Sequence, residues 1–171
     1  MTLLSGDRAD HISAESMTEL ILRIFRVNNA LLAAGDRLVG ELGLTSARWQ
    51  LLGGIADQAE PLSVARLARK MGVSRQSVQR IINELEAETV VAFRANPQHR
   101  RAQLIELTAH GRLLFEQAMN LQRPWAASLG RGLSAAQAAE VREALNTLLT
   151  ALGDTAPTGP ERTAGSDKPF A

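Results

Sequence analysis

The sequence contains no cysteine and no tyrosine, only four phenylalanines and two tryptophans, and three histidines. Without thiols it forms no disulfide, no thiolate metal site and no direct thiol redox sensor. His11, His99 and His110 are not spaced with a second histidine or a carboxylate as a metal site requires, so no metal and no cofactor is expected. No apolar run approaches the ~18–20 residues of a membrane span. The first residues also lack the basic stretch and apolar core of a secretory signal, so the expectation is a cytoplasmic protein without membrane contact. A phosphate-binding glycine loop, a nucleophile motif and paired carboxylates in apolar surroundings are missing too, which argues against an enzyme. What the 171 residues hold in quantity is alanine and leucine, pointing to a mostly helical domain with helical extensions.

Charge is almost balanced, at a formal +1, but it is not evenly spread. Residues 64–103 balance at +5, against −3 for residues 1–63 and −1 for residues 104–171. A local cationic excess on a compact helical unit is the electrostatic footprint of a nucleic-acid binder.

Residues 1–15 read as a flexible leader. Ser16-Met-Thr-Glu19 has the form of a capping box, opening a long amphipathic helix with Leu20, Ile21, Ile24, Phe25, Leu31, Leu32 and Leu38 at three- and four-residue steps. Gly40 or Gly43 would stop it, giving an N-terminal helix over 16–44. A helix of about 25 residues spans about 37 Å, too much for one small domain to cover, so its apolar stripe is expected to pack partly on another chain. A second helix follows, with Thr45 as its cap, Trp49, Leu52, Ile55 and Ala56 on one face, and Gly53-Gly54 marking a close helix approach or a weak spot.

Ser63 caps a short helix carrying Val64, Leu67, Ala68 and Met71, and Gly72 ends it. Val73 would plug the turn and Ser74 cap the next helix, which turns Val78, Ile81, Ile82 and Leu85 inward. Arg75, Gln76, Gln79, Arg80 and Asn83 face outward. This is the spacing of a DNA-binding helix-turn-helix, and arginine and glutamine are the side chains that pair with guanine and adenine edges. The alternative is an ordinary helical hairpin with a solvated polar face. Two β-prone runs, Val90–Arg94 and Ala102–Leu107, then flank a turn with His99, Arg100 and Arg101 at its tip. A basic hairpin directly after such a helix is a wing, able to enter a minor groove or clamp phosphate. Glu84, Glu86 and Glu88 read as a solvated face near a helix end.

The order GLTSARWQLL, LARKMGVSRQSVQRIINELE and NPQHRRAQLIELTAHG resembles the MarR family of bacterial winged-helix regulators, over roughly residues 16–152. The resemblance implies a homodimer on a pseudo-palindromic double-stranded DNA operator, with outer helices forming the dimer. It sets Arg75, Gln76, Gln79 and Arg80 against bases and phosphates and makes Arg101 the wing arginine of the minor groove; Ser74, Arg94, His99 and Arg100 are added to the expected DNA-binding set from the helix start and the wing. It further implies an effector pocket where dimer and DNA-binding parts meet, here assigned to Phe25, Trp49, Leu52 and Phe115, for a small aromatic or phenolic ligand. Two residues depart from the family pattern. His99 stands where an aspartate often supports the wing arginine. Thr89 stands where a glycine commonly ends the recognition helix; a left-handed β-branched residue would be strained there, so the turn is expected to be built differently.

Thr108 caps a helix through Leu113, Leu114, Phe115, Ala118 and Leu121, which Pro124 should kink or break. Ser134-Ala-Ala-Gln137 is a second capping box, opening a helix with Val141, Leu145, Leu148, Leu149 and Leu152 on one stripe. Residues 154–171, rich in proline and glycine, are expected to form a disordered tail. The fold expected is mainly α with a small β-hairpin wing. A winged helix-turn-helix domain over 45–107 carries N-terminal (16–44) and C-terminal (108–153) dimerisation helices. The function expected is a ligand-relieved repressor. The rivals are a winged-helix module for protein–protein assembly and a DNA-binding regulator with no effector.

Overall fold

The computed structural model describes residues 11–97 and 102–154, which divide into two units after Trp125. The leader as far as residue 10, the wing tip at 98–101 with His99, Arg100 and Arg101, and the tail from residue 155 lie outside the described residues.

In the first unit, helix α1 runs from Ala14 to Val39. It begins one turn ahead of the expected capping box. Ser13, with extended backbone, is the N-cap, and its hydroxyl accepts from the Ser16 amide at 3.2 Å. Ser16 is thus inside the first turn rather than in front of it. A hydrogen bond from its own backbone amide, and then one from the Ser13 hydroxyl, hold the Glu15 carboxyl below its usual pKa, as suits an anion at a helix N-terminus. A 3-10 turn over Gly40–Leu42 ends the helix, and Gly43 takes the left-handed backbone of the stop.

Helix α2 (Ser46–Ala56) starts at Thr45, whose hydroxyl accepts from Arg48 N. It is locked to α1 through Ser46, a buried polar residue. The Ser46 amide donates to Asp36 Oδ1 at 2.6 Å, and its hydroxyl donates to the Leu32 carbonyl at 2.7 Å. Of the two meanings open for Gly53-Gly54, close approach is the one realised. A Cβ on Gly54 would lie 3.0 Å from Leu67 Cδ1 of the following helix.

Strand β1 (Leu62–Ser63) leads into α3 (Val64–Met71) and α4 (Arg75–Ala87), followed by β2 (Val91–Arg94) and β3 (Leu104–Leu107). The sheet is antiparallel in the order β1-β3-β2, with Val91 opposite Leu107, Arg94 opposite Leu104 and Leu62 opposite Ile105. A two-residue strand carries no alternation to read, so β1 was not expected. One core holds the unit together: Leu52 of α2, Leu67 of α3, Val78, Ile82 and Leu85 of α4, and Val91 and Ile105 of the sheet are all fully buried.

Helix α5 (Ala109–Gly130) continues through Pro124, so of the expected kink or break the break does not occur. The missing amide costs one intrahelical bond, and the helix runs on for six residues. In the second unit, residues 126–154, α6 (Ala135–Asp154) opens on the expected capping box. Ser134 N donates to Gln137 Oε1 at 2.9 Å and Gln137 N donates to Ser134 Oγ at 3.2 Å. No described helix is long and apolar enough to cross a membrane, and no group of three or more metal-ligating side chains occurs among the described residues.

Candidate nucleic-acid interface

The candidate site is the outward face of α4 with the sheet beside it. What aims that face is the turn between α3 and α4. Gly72 has φ +65°, a conformation free of cost only for glycine, and it lets two amides turn back on the end of α3. Gly72 N donates to Arg69 O and Val73 N to Ala68 O, at 3.3 and 3.1 Å. Val73 does not plug the turn as expected: it is 48% exposed, because the cap is closed by these backbone bonds. Ser74 then caps α4, accepting from Ser77 N at 3.1 Å. Ala68, Val78 and Ile81 are buried at the crossing of the two helices, so the expected helix-turn-helix spacing is met by packing.

Burying Val78, Ile81, Ile82 and Leu85 forces the polar residues of α4 outward. Arg75, Gln76, Gln79, Arg80 and Asn83 together line one groove on that side. Arg75, Gln79 and Asn83 also line a second groove of about 690 Å³, whose other wall is the start of α3 and the sheet, with Ser63, Phe93 and Gln103. The side chains on this face are partly ordered by one another. Gln79 Nε2 donates to Asn83 Oδ1 at 2.8 Å, and Arg80 pairs with Glu84 at 2.6 Å one turn on. Arg94, at the end of β2, lies 3.8 Å from Glu106 on β3. With Ser63 and Arg66 it lines a cleft of about 380 Å³ between α3 and the base of the wing.

Sequence reasoning passed over three contributors. Asn83 was read as outward but given no role, although its i+4 spacing from Gln79 was the available signal. Arg66 was not singled out, since only the fold brings it beside Arg94. The acidic run was read as a solvated face, yet two of its members hold arginines: Glu84 holds Arg80, and Glu88 holds Arg48 of α2. Arg48 also donates to the Gly43 carbonyl at 3.0 Å, so one largely covered guanidinium ties the end of α4 to the end of α1.

The end of α4 departs from expectation. Thr89 has φ +58°, so the turn is the left-handed one after all, made without glycine. Thr89 N donates to Glu86 O and Val90 N to Leu85 O, at 2.8 and 2.9 Å, the same double closure that Gly72 makes for α3. The Thr89 carbonyl is then held by the Thr108 hydroxyl at 2.7 Å. That hydroxyl also accepts from Gly111 N at 3.0 Å, which caps α5 as expected. At Gly111 a Cβ would fall 2.0 Å from the Val90 carbonyl oxygen, so only glycine lets α5 start flush against the bend that leads into β2. The Leu107-Thr108-Ala109-His110-Gly111 run is therefore the joint between the wing and the C-terminal helix.

Of the four residues assigned to an effector pocket, three meet at one core and Phe25 stands apart. Leu52 is fully buried in the core, with Trp49 and Phe115 packed on that core, while Phe25 stands 60% exposed on α1. Only Phe115 of the four lines a cavity of about 440 Å³ between α2, β3 and α5, with Pro61, Leu107, Arg112 and Glu116.

A family model described as MarR family matches residues 42–102, a range that holds α2, β1, the helix-turn-helix and β2 and stops short of β3. An uncharacterized protein of Mycobacterium tuberculosis is 36% identical over 103 residues, covering 60% of this chain and 71% of the relative. The transcriptional activatory protein BadR of Rhodopseudomonas palustris is 32% identical over 115 residues, 66% of each chain. Among solved structures, the transcriptional regulator MosR of M. tuberculosis superimposes with a TM-score of 0.66 at 25% identity, over 78% of this chain and 95% of MosR. Together with the outward polar face of α4, these similarities establish that the chain belongs to the MarR family of DNA-binding transcriptional regulators.

Proposed function

We propose that the protein is a sequence-specific regulator that binds a pseudo-palindromic operator as a homodimer, with α4 in the major groove and the wing, including Arg100 and Arg101, reaching the flanking minor groove. The observation that carries this reading is the face of α4: two arginines and two glutamines turned outward by a buried row of aliphatic residues, beside a groove of about 690 Å³. Two such helices about 34 Å apart would meet successive turns of the duplex. Two uncovered apolar stripes support the dimer. Leu20, Ile21, Phe25 and Leu31 are exposed along α1, and Val141, Leu145, Leu149 and Leu152 along α6.

Titrating a duplex pool from the upstream intergenic region at several salt concentrations tests the reading. Binding should fall steeply with added salt, because each neutralised phosphate releases counterions. Salt-insensitive or absent DNA binding would favour the protein–protein assembly module instead. We assign the effector to the cavity beside Phe115, where Arg112 offers a cation to a small aromatic acid. Such a ligand should raise the melting temperature of the wild type and not of Arg112→Ala; no response to any aromatic acid would leave a regulator without effector. Repression relieved by that ligand is the expected mode. The name of BadR favours activation as the second reading, and a promoter fusion in a deletion strain separates the two by the sign of the change in output.

A further inference from the structure

We infer that Asn83 decides which base Gln79 reads, by fixing the direction of the hydrogen bond between their amides; this rests on the assignment of Gln79 as a base-reading residue. The two side chains lie one turn apart on the outward face of α4, and Gln79 Nε2 donates to Asn83 Oδ1 at 2.8 Å. A glutamine amide is by itself an ambiguous reader, since it carries two donor hydrogens on one end and acceptor lone pairs on the other. Rotation about its last torsion presents either end to a base.

The direction of the bond removes that ambiguity. Adenine asks for one acceptor, for its N6 amino group, and one donor, for N7; guanine asks for two donors, for O6 and N7. With one Nε2 hydrogen committed to Asn83, Gln79 keeps one hydrogen and its carbonyl oxygen, which is the adenine pattern. The reverse bond, from Asn83 Nδ2 to Gln79 Oε1, would free both hydrogens of Gln79 and present the guanine pattern. Both residues line both grooves of the α4 face, so the pair sits where a base edge would arrive. The bond also restrains a long side chain before DNA is met, lowering the entropy lost on binding. Asn83 is thus a positioning residue that acts through Gln79.

The test is selection from a random duplex library followed by sequencing, with the wild type, Gln79→Ala, Asn83→Ala and Asn83→Asp. Gln79→Ala marks the base pair that Gln79 reads, as the position where preference flattens. At that pair Asn83→Ala should lower the preference for adenine over guanine by about fivefold, the low end of what one bidentate pair discriminates. Asn83→Asp can only accept, so it should keep the adenine preference while its charge weakens binding to every duplex alike. A merely structural role for Asn83 would shift all affinities together and leave the ratio unmoved. The inference is overturned if Asn83→Ala leaves the marked pair unchanged, if it alters a different pair instead, or if Asn83→Asp loses the preference. If Gln79→Ala flattens no position, base reading by Gln79 itself fails, a distinct result that removes the inference with it.

Discussion

At the scale of the residue, two positions around the end of α4 place backbone geometry and side-chain size in opposition. Thr89 holds φ +58°, where a β-branched residue costs roughly 1–2 kcal/mol relative to glycine. Part of that gain is returned on replacement, because glycine has more freedom to lose on folding, about 0.5–1 kcal/mol. Thr89→Gly should therefore stabilise the protein by about 1 kcal/mol or slightly less, read as a higher urea midpoint at unchanged slope. The bond from Thr108 is to the Thr89 carbonyl, so it survives the substitution. Gly111 is the opposite case. A methyl group there would sit 2.0 Å from the Val90 oxygen, and neither the bend before β2 nor the capped helix can move without losing the Thr108 bonds. Gly111→Ala should cost about 3 kcal/mol or more, a magnitude reserved for overpacking against fixed backbone. Urea unfolding checks this as well, and a loss under 1 kcal/mol would show that the joint is pliable.

At the scale of the element, α4 carries its own competitor for phosphate. Arg80 is paired with Glu84, so a duplex must displace a carboxylate to reach the guanidinium. The pair is exposed and contributes only about 0.3–0.5 kcal/mol to the helix. Glu84→Gln removes both the pairing and a negative charge facing the phosphates. It should tighten binding about two- to fivefold on all duplexes at low salt, with the gain shrinking as salt rises, by fluorescence anisotropy. The same element shows how much of the site was legible in advance. Val78, Ile81, Ile82 and Leu85 recur at helical spacing, and burying them dictates which side chains face out. The pattern names the reading face without any tertiary information. What it does not give is pairing on that face. Gln79 with Asn83, and Arg80 with Glu84, needed the actual rotamers. Arg66 beside Arg94 needed the sheet, whose first strand is two residues long and invisible to any period. The end of the helix was misjudged for a related reason: Thr89 disfavours a left-handed turn locally, but two backbone bonds and the Thr108 hydroxyl outweigh that preference.

At the scale of the whole molecule, the relevant quantity is how much apolar surface the single chain leaves open. Burying a leucine side chain contributes about 1.5–3 kcal/mol, and a surface with Leu145 and Leu149 at 41% and 67% exposure forgoes much of that. On α6 the stripe from Val141 to Leu152 has few covered members in its own unit, Leu148 being half-buried. A near-neutral chain with one cationic segment also has little self-repulsion to keep two copies apart. Pairing through α6 would remove four such leucines from water in a symmetric dimer. Counting only half the usual contribution for each, their replacement should cost about 3 kcal/mol of association, or roughly a hundredfold in the dissociation constant. The double variant Leu145→Glu, Leu149→Glu adds like charges across a two-fold axis and should exceed that. Light scattering at micromolar concentration should report a dimer for the wild type and a monomer for the variant, with the helical circular dichroism of the winged domain retained. Operator binding should weaken further than association, since each half-site then binds alone and the second contact no longer profits from the first. A variant that stays dimeric would move the interface to the stripe of α1, where Leu20 and Phe25 are the next residues to replace.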